Sequence, residues 1–364
     1  MKNIAVLFGG ESVEHDVSVI TGLIVMSTLS KSTYNVIPVY IDKNGKWFTG
    51  EKLKDVDFYK NYNEKKLSHV TLCLGENVLY RLAGKKQKPI AEISSAINCM
   101  HGGYGEDGSV AGLLKICKIP LASPPTTASG ICMDKCATKI FLKGIGVKTL
   151  PYIRVKGLSD VPAVEKKFKY PVIVKPSTLG SSIGIGVASD KKSLEEAILC
   201  SLKYSESALV EPFIEYFDEI NCAVYSDMGE MIASECEKPI RKSGMLSFSD
   251  KYLDGEREFP ANIPMGIKAK IQNISKKIYE KLDCQGIIRI DFMVMGETVL
   301  VNEINTVPGS LAYYLFCDTT EEFCGILKKM IDYSTKIFAC NKTLINSFPS
   351  SVLNIKGAKG TKHL

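Results

Sequence analysis

Four polar side chains stand inside two neighbouring apolar stretches late in the sequence. Arg289 and Asp291 lie in the first stretch, Glu303 and Asn305 lie in the second, and Gly296-Glu297 separates them as a hairpin turn would. Because side chains alternate along a strand, the members of each pair share one face of their strand. Carboxylates that merely faced water would rarely be embedded among apolar residues, so this pattern favours a functional site.

Two carboxylates and an amide are ligands that suit Mg²⁺, which combines one or two carboxylates with nucleotide phosphates. We therefore predict that Asp291, Glu303 and Asn305 hold Mg²⁺ or Mn²⁺. The guanidinium group of Arg289 beside them would stabilise negative charge as it develops.

A loop of small residues follows a predicted strand in the middle of the chain. The strand, residues 170–176, carries Lys175 near its end, and the loop Ser177–Gly184 offers backbone N–H groups and hydroxyls. Such a loop can fold over phosphates as a lid, although the Walker pattern is absent. Lys135, at the start of a predicted helix, either neutralises phosphate or lies solvated, and its spacing does not decide between them.

A further acid interrupts the apolar stretch of residues 208–214. Glu211 could accept a hydrogen bond from the amino group of adenine, with Phe213 and Ile214 as apolar cover.

The start of the chain is typical of an open α/β sheet, with a strand over residues 3–8, a Gly9-Gly10 turn and a helix over residues 17–29. The dinucleotide fingerprint is absent. Glu14 is suited to hold an ammonium group, or else is an acid favoured by the helix dipole. His101 ends a third strand before a glycine-rich loop, which makes it a site candidate, although a lone histidine is often structural.

The composition is that of an ordinary globular protein with two or three domains, since 45% of the 364 residues are hydrophobic. No apolar run approaches the roughly 18 residues of a membrane helix, so we expect a cytoplasmic protein without a membrane partner. The net charge of +6 comes from dispersed lysines and does not imply nucleic acid. The twelve cysteines are expected to be reduced, and Cys132 and Cys136 lack a second pair for zinc.

The remaining periodicity predicts the elements that position these residues. They are a strand over 35–41, hairpins over about 50–90, helices over 110–117, 133–143 and 264–282, a strand over 218–224, and a closing loop over 243–258.

Taken together, the motifs resemble the ATP-grasp superfamily and, within it, the D-alanine–D-alanine ligases, over nearly the whole chain. Each motif alone is weak, but six occur in the order of the family. They are residues 9–18 (GGESVEHDVS), 101–108 (HGGYGEDG), 133–135 (MDK), 174–176 (VKP) with 180–182 (GSS), 289–291 (RID), and 302–306 (NEINT) with Pro308-Gly309.

The resemblance implies an ATP-grasp fold of mixed α/β and α+β class with an N-terminal open α/β, Rossmann-like domain. Three domains are expected, namely an N-terminal substrate domain over 1–124, a central lid domain over 125–210, and a C-terminal domain with the metal site over 211–364. It further implies a homodimer and an ADP-forming ligase that joins two D-alanines through an acyl phosphate for peptidoglycan precursor synthesis.

The resemblance also implies a role for each matching residue. Lys135 and Lys175 would contact phosphates, Ser182 would cover the γ-phosphate, Glu211 would meet adenine, Glu219 would meet ribose, and Lys251 would reach the phosphate. Glu14, aided by His101, would bind the first D-alanine, with Ser181 and Tyr252 in a hydrogen-bonded set with Glu14. Arg289 and the backbone of Gly309 would receive the oxyanion, and Asp291, Glu303 and Asn305 would hold two metal ions.

Two places depart from the usual family pattern. Tyr314 stands where many relatives carry a serine that holds the carboxylate of the second residue, and its neighbour Tyr313 is also unassigned. The spacing from Glu211 to Glu219 is one residue longer than usual, so Asp218 is a rival for ribose.

Several alternative functions remain open. A D-alanine–D-serine ligase is the nearest, whereas an ester-forming D-lactate ligase is disfavoured because Lys251-Tyr252 is retained. Another ATP-grasp ligase joining a different carboxylate and amine, or a silent nucleotide-binding regulator, would lack D-alanine-dependent phosphate release.

Overall fold

The computed structural model describes residues 1–240 and 256–350, and its N-terminal part is built on one mixed sheet. The strands of this sheet are β1 (Asn3–Gly9), β2 (Asn35–Ile41), β3 (Trp47–Thr49), β4 (Ser68–Leu72), β5 (Val78–Ala83), β6 (Lys86–Glu92) and β7 (Ser95–Asn98). Their order is β6-β5-β4-β3-β2-β1-β7. β1 is parallel to β2 and β7, which confirms the predicted α/β opening, and β3 to β6 extend the sheet with antiparallel pairs.

Helices cover both faces of this sheet. α1 (His15–Leu29) lies on one face, and α3 (Ser109–Ile116) lies on the other. The last helix, α9 (Thr320–Lys342), joins α1 in the same core, where Phe323 and Leu327 are fully buried. The C-terminal helix therefore completes the core of the N-terminal sheet. The short helix α2 (Val56–Lys60) packs Phe58 into the same core.

Two helices connect this region to the centre of the chain. They are α4 (Thr126–Met133) and α5 (Lys135–Gly144). The side chain of Asp134 caps α5 by accepting hydrogen bonds from the backbone N–H groups of Cys136 and Ala137 at 2.8 and 2.9 Å. The cap explains why this helix, predicted over 133–143, begins at Lys135 and so places that residue in its first turn.

The central sheet has the strand order β10-β9-β11-β8. Its strands are β8 (Ile153–Val155), β9 (Val172–Pro176), β10 (Gly186–Ala188) and β11 (Ala208–Pro212), and its helices are α6 (Val161–Lys167) and α7 (Lys191–Ser201). β9 and β10 are antiparallel neighbours and enclose the glycine- and serine-rich loop, as the sequence predicts.

The third sheet carries the polar strand pair. Its order is β13-β12-β16-β17, from β12 (Asp218–Asp227), β13 (Glu230–Ala233), β16 (Ile287–Met295) and β17 (Thr298–Asn305). Helix α8 (Met265–Lys281) buries Ile271 and Ile278 in its core, and β14 (Lys238–Pro239) pairs with β15 (Arg257–Glu258) beside it. The predicted hairpin is confirmed, because β16 and β17 pair in antiparallel register.

The cysteines are free thiols, as expected. Within the described ranges, no helix combines the length and apolar character that a membrane crossing requires.

Candidate functional site

The polar residues of β16 and β17 face one another across the hairpin. Arg289 is opposite Asn305, and Asp291 is opposite Glu303. Arg289 donates from Nε and Nη2 to the carboxylate oxygens of Asp291 at 2.7 and 2.9 Å, and Asn305 donates from Nδ2 to Oδ2 of Asp291 at 3.0 Å. Burial opposes the charge of Arg289, but Asp291 outweighs it and raises the pKa of Arg289. The predicted cluster therefore exists, with a cationic arginine at its centre.

The oxygen atoms of Asp291, Glu303 and Asn305 could supply only part of the coordination shell of Mg²⁺. Glu303 and Asn305 line a small cavity of about 40 Å³, whereas Asp291 is 1% exposed and does not line it. Since Asn305 donates through Nδ2, its carbonyl oxygen is left to accept or to ligate. No group of three His, Cys, Asp or Glu side chains in the described part of the chain could hold a metal by itself. Phosphate oxygens would have to complete such a site.

A larger cavity of about 250 Å³ lies between the central and third sheets. It brings together six of the eight residues predicted to bind the nucleotide, together with Glu303. The six are Lys135, Lys175, Ser182, Phe213, Ile214 and Glu219. Leu150, Ile173 and Met293 add apolar walls. A cavity with apolar walls and a few cationic and polar groups at one end suits a nucleotide.

Glu211 lies behind this cavity and is 1% exposed. Nζ of Lys139 is 2.5 Å from one of its carboxylate oxygens, and Nζ of Lys175 is 2.9 Å from the other. Burial opposes ionisation of Glu211, but Lys175 and Lys139 outweigh it and lower the pKa of Glu211 below its ordinary value. In this structure the acid thus orients Lys175, and its predicted contact with adenine stays a prediction.

The two acids that compete for ribose are placed differently. Glu219 lines the large cavity, whereas Asp218 lies outside it and pairs with Nζ of Lys238 at 2.6 Å. The geometry therefore favours Glu219.

The amino-acid end of the site begins where α1 starts. Glu14 is 6% exposed and accepts a hydrogen bond from the hydroxyl of Ser181 in the small-residue loop. Gly102, with φ of +67°, lies against it, because a Cβ there would be 2.8 Å from Oε2 of Glu14. Glu14 and Ser181 are thus in contact across 167 positions of sequence, as the resemblance implies.

His101 is buried beside this end of the site. Its Nε2 lies 2.9 Å from the hydroxyl of Thr21. Burial and, to a smaller extent, the charge of Arg289 lower the pKa of His101 to about 4. The ring is therefore neutral at physiological pH and supports its surroundings as a hydrogen-bonding group.

Glu106 connects this loop to the segment that follows β17. Its carboxylate accepts hydrogen bonds from the backbone N–H groups of Gly102 at 2.8 Å and Val307 at 3.1 Å. Burial and, to a smaller extent, the charge of Glu14 raise the pKa of Glu106 to about 7. Glu106 also lines the small cavity with Glu303. It thus stands between the amino-acid end and the metal strands.

Gly309 begins a short turn segment, Gly309–Leu315, that lies next to Arg289. Burial raises the pKa of the Tyr314 phenol in this segment, and the positive charge of Arg289 opposes that rise. The guanidinium carbon of Arg257 lies 4.6 Å from the centre of the Tyr314 ring. Tyr313 instead stacks on Phe323, with ring centres 4.9 Å apart. Of the two tyrosines, only Tyr314 therefore lies beside Arg257 and Arg289.

Two predicted site residues, Lys251 and Tyr252, lie outside the described residues.

Sequence reasoning missed Lys139, Glu106 and Thr21. Lys139 is one helical turn after Lys135 on α5, so its spacing could have suggested a second cation on the same side. Glu106 belongs to a quoted motif but carried no assigned role. Nothing in the sequence marks Thr21, because its partners are 80 and 289 positions away.

Comparisons with known proteins identify the family of this chain. The family model for the D-ala D-ala ligase N-terminus matches residues 3–124, and the model for the D-ala D-ala ligase C-terminus matches residues 141–333. A D-alanine–D-alanine ligase from Thermosipho melanesiensis is 36% identical, covering 99% of this chain and 100% of the relative.

Solved structures show the same similarity. The D-alanine–D-alanine ligase from Helicobacter pylori has a TM-score of 0.76 at 30% identity and covers 92% of this chain and 98% of that one. The VanG D-Ala:D-Ser ligase from Enterococcus faecalis has a TM-score of 0.78 at 26% identity and covers 92% and 99%. The chain therefore belongs to the D-alanine–D-alanine ligase family and has its ATP-grasp fold.

Proposed function

We propose that this chain is an ADP-forming ligase that joins two D-alanine molecules at the expense of ATP for peptidoglycan precursor synthesis. The loop between β9 and β10 carries the argument. Ser182 lines the large cavity, whereas its neighbour Ser181 donates a hydrogen bond to Glu14. Adjacent residues of one loop thus reach a nucleotide-sized cavity and an acid suited to an amino acid's ammonium group. This arrangement would place the terminal phosphate of ATP beside the carboxylate of the first D-alanine.

ATP would lie in the large cavity, with its base between Phe213, Ile214 and the apolar walls and its ribose at Glu219. Lys135 and Lys175 would neutralise the phosphates. Lys135 is already held by Leu179 O at 2.6 Å and lies 3.9 Å from Glu303, close to the expected phosphate end. Lys251, by family resemblance, would approach from the segment before β15.

Glu303, Asn305 and Asp291 would hold Mg²⁺ or Mn²⁺, two ions by family resemblance. When bound, the metal supplies positive charge to the phosphate oxygens. Glu303 and Asn305 line the small cavity directly. Asp291 accepts two hydrogen bonds from Arg289 and one from Asn305, which leaves a second lone pair on Oδ1 alone.

In the first step, Glu14 would bind the ammonium group of the first D-alanine, supported by Ser181 and, by resemblance, Tyr252. An oxygen of the D-alanine carboxylate then attacks the γ-phosphorus of ATP. The bond from that phosphorus to the bridging oxygen breaks, ADP leaves, and an acyl phosphate forms. The protein chiefly positions the groups and stabilises charge, because phosphoryl transfer needs little covalent help.

In the second step, the amine of the second D-alanine attacks the acyl carbon. The amine loses a proton, inorganic phosphate leaves, and the peptide bond remains. Arg289 and the backbone N–H of Gly309 would stabilise the oxyanion of the tetrahedral intermediate. Tyr314, whose phenol is close enough to Arg289 to feel its charge, would border the carboxylate of the second D-alanine in place of the serine of many relatives.

The proposal includes three domains over 1–124, 125–210 and 211–364, a homodimer, and a cytoplasmic location. The three larger sheets support the domain division, although β11 continues to Pro212. The dimer rests on family resemblance, and the location rests on the use of ATP.

The purified protein with Mg²⁺ and ATP tests the proposal. Phosphate release should require D-alanine and should disappear when D-alanine is replaced by L-alanine. Release without any amino acid, or none with D-alanine, would contradict the proposed function. A silent regulator would bind ATP and release no phosphate with either D-alanine or L-alanine.

A further inference from the structure

Thr21 joins three parts of the chain that are distant in sequence. It lies on α1, seven residues after Glu14, and its side chain is fully buried. Its hydroxyl oxygen is 2.9 Å from Nε2 of His101 and accepts a hydrogen bond from the backbone N–H of Ser310 at 3.0 Å. The helix that presents Glu14 is thereby tied to the residue directly after Gly309.

The hydroxyl of Thr21 can satisfy both of its partners at once. A threonine hydroxyl has one proton and two lone pairs. The N–H of Ser310 uses one lone pair, so the proton can be donated to Nε2 of His101. Thr21 thus holds the ring of His101 and the backbone directly after Gly309.

The segment that begins with Ser310 has an unusual backbone conformation that its surroundings must hold in place. Ser310, Leu311 and Ala312 have φ values of 53, 51 and 48°, in the left-handed region that non-glycine residues rarely adopt. Strained residues of this kind persist only where their surroundings hold them. Leu311 and Ala312 are buried in the same core as α1, and the hydrogen bond from Ser310 to Thr21 fixes the start of the turn.

We propose that Thr21 is a positioning residue for peptide-bond formation, because its hydroxyl fixes the turn that aims the N–H of Gly309 at the developing oxyanion. This inference rests on the proposed function, which assigns that role to Gly309. Helix α1 then positions two parts of the site at once. Glu14 at its start holds the first amino acid, and Thr21, two turns later, holds the turn that carries the oxyanion donor. A hydroxyl that only satisfied a buried N–H would affect stability and leave the rate per folded molecule unchanged.

The full-length protein with Thr21→Val, Thr21→Ser and Thr28→Val tests this role. Thr28 is a matched control, because it is also buried on α1, two turns further along on the same side. Thr21→Val keeps the shape and removes the hydroxyl, so kcat for dipeptide formation should fall roughly 10- to 100-fold with the KM for ATP unchanged. Thr21→Ser should restore kcat, and Thr28→Val should keep the wild-type value.

A wild-type kcat in Thr21→Val would overturn the proposal, as would a Thr21→Ser protein as slow as Thr21→Val. If Thr21→Val does not fold, Thr21→Cys provides the same comparison, because a thiol is a weak acceptor. Hydrogen exchange at the Ser310 amide separates this inference from the proposed function. It should be faster in Thr21→Val even if the wild-type protein uses another substrate, and equal exchange in both proteins would contradict the inference.

Discussion

Glu211 illustrates how a single residue can have a structural setting that its sequence context does not reveal. The apolar stretch around it predicts a buried acid near the nucleotide, and the structure places it in two ion pairs with Lys139 and Lys175. The two ammonium groups come from α5 and β9, so only the folded chain shows that both meet one carboxylate. A buried charge needs such partners, because its desolvation is expensive.

We predict that Glu211→Gln lowers the free energy of unfolding by about 3–5 kcal/mol at neutral pH, because it leaves two lysines beside an uncharged group. The pKa of Glu211 is lowered from its ordinary value of 4.5, so its stabilising contribution is complete above pH 4.5 and is lost as the pH falls through the lowered pKa. The difference between wild type and Glu211→Gln should therefore shrink in acid. Urea denaturation at several pH values measures both effects.

Glu215→Gln is the matched control, since Glu215 is exposed at the rim of the same cavity. Its free energy of unfolding should equal that of the wild type at each pH. A Glu211→Gln protein as stable as Glu215→Gln at neutral pH would show that the buried ion pairs contribute nothing.

At the scale of elements, the β16–β17 hairpin is the feature that the sequence predicts best. Alternation in two apolar stretches around Gly296-Glu297 was enough to place Arg289, Asp291 and Asn305 on one face, and the register confirms it. A bulge between Asp291 and Phe292, where the register shifts, could not be predicted. Local patterns specify strands and turns, whereas a bulge depends on how two strands fit together.

The hairpin gives a direct test of the metal assignment. We predict that Glu303→Gln raises the Mg²⁺ concentration for half-maximal activity roughly tenfold or more, because it removes a charged ligand from an already partial shell. Glu297→Gln, an exposed acid in the turn of the same hairpin, should leave the Mg²⁺ dependence unchanged. Phosphate release by the two variants is measured against Mg²⁺ concentration at saturating ATP. Identical Mg²⁺ dependence of Glu303→Gln and Glu297→Gln would show that Glu303 is not a metal ligand.

Helix α4 was not predicted, and its composition explains the omission. Residues 126–133 contain two threonines, a serine and a glycine, all of which have modest or poor helix propensity. Packing of Ala128 and Cys132 into the core of the third sheet overrides that preference. Contacts of this kind are tertiary and leave no periodic signal in so short a segment.

At the scale of the whole molecule, the first and last described helices share one core. Helix α9 contacts α1 and β7, so it stabilises the first sheet. The sequence predicted α1 but not its contact with α9, because the hydrophobic periodicity of a helix identifies its buried face without identifying its partner.

This arrangement predicts a large effect from one substitution near the C-terminus. Leu327→Ala should lower the free energy of unfolding by about 2–5 kcal/mol, because Leu327 is fully buried in the core that α9 shares with α1 and the first sheet. Its exposed neighbour gives the control, and Lys328→Ala should change stability by less than about 0.5 kcal/mol. Urea denaturation followed by fluorescence of Trp47, which lies in β3 of this sheet, compares them. Equal urea midpoints for Leu327→Ala and Lys328→Ala would contradict the burial of Leu327 in the shared core.

The most direct test of the proposed function is the identity of the product. Purified protein, ATP and Mg²⁺ are incubated with D-alanine alone and with equal amounts of D-alanine, D-serine and D-lactate, and the products are identified by mass. D-alanyl-D-alanine, formed with one ADP and one phosphate per dipeptide, is the predicted main product of both mixtures. A mixed dipeptide or ester as the main product of the second mixture, or no dipeptide in either, would contradict the assignment of D-alanine as both substrates.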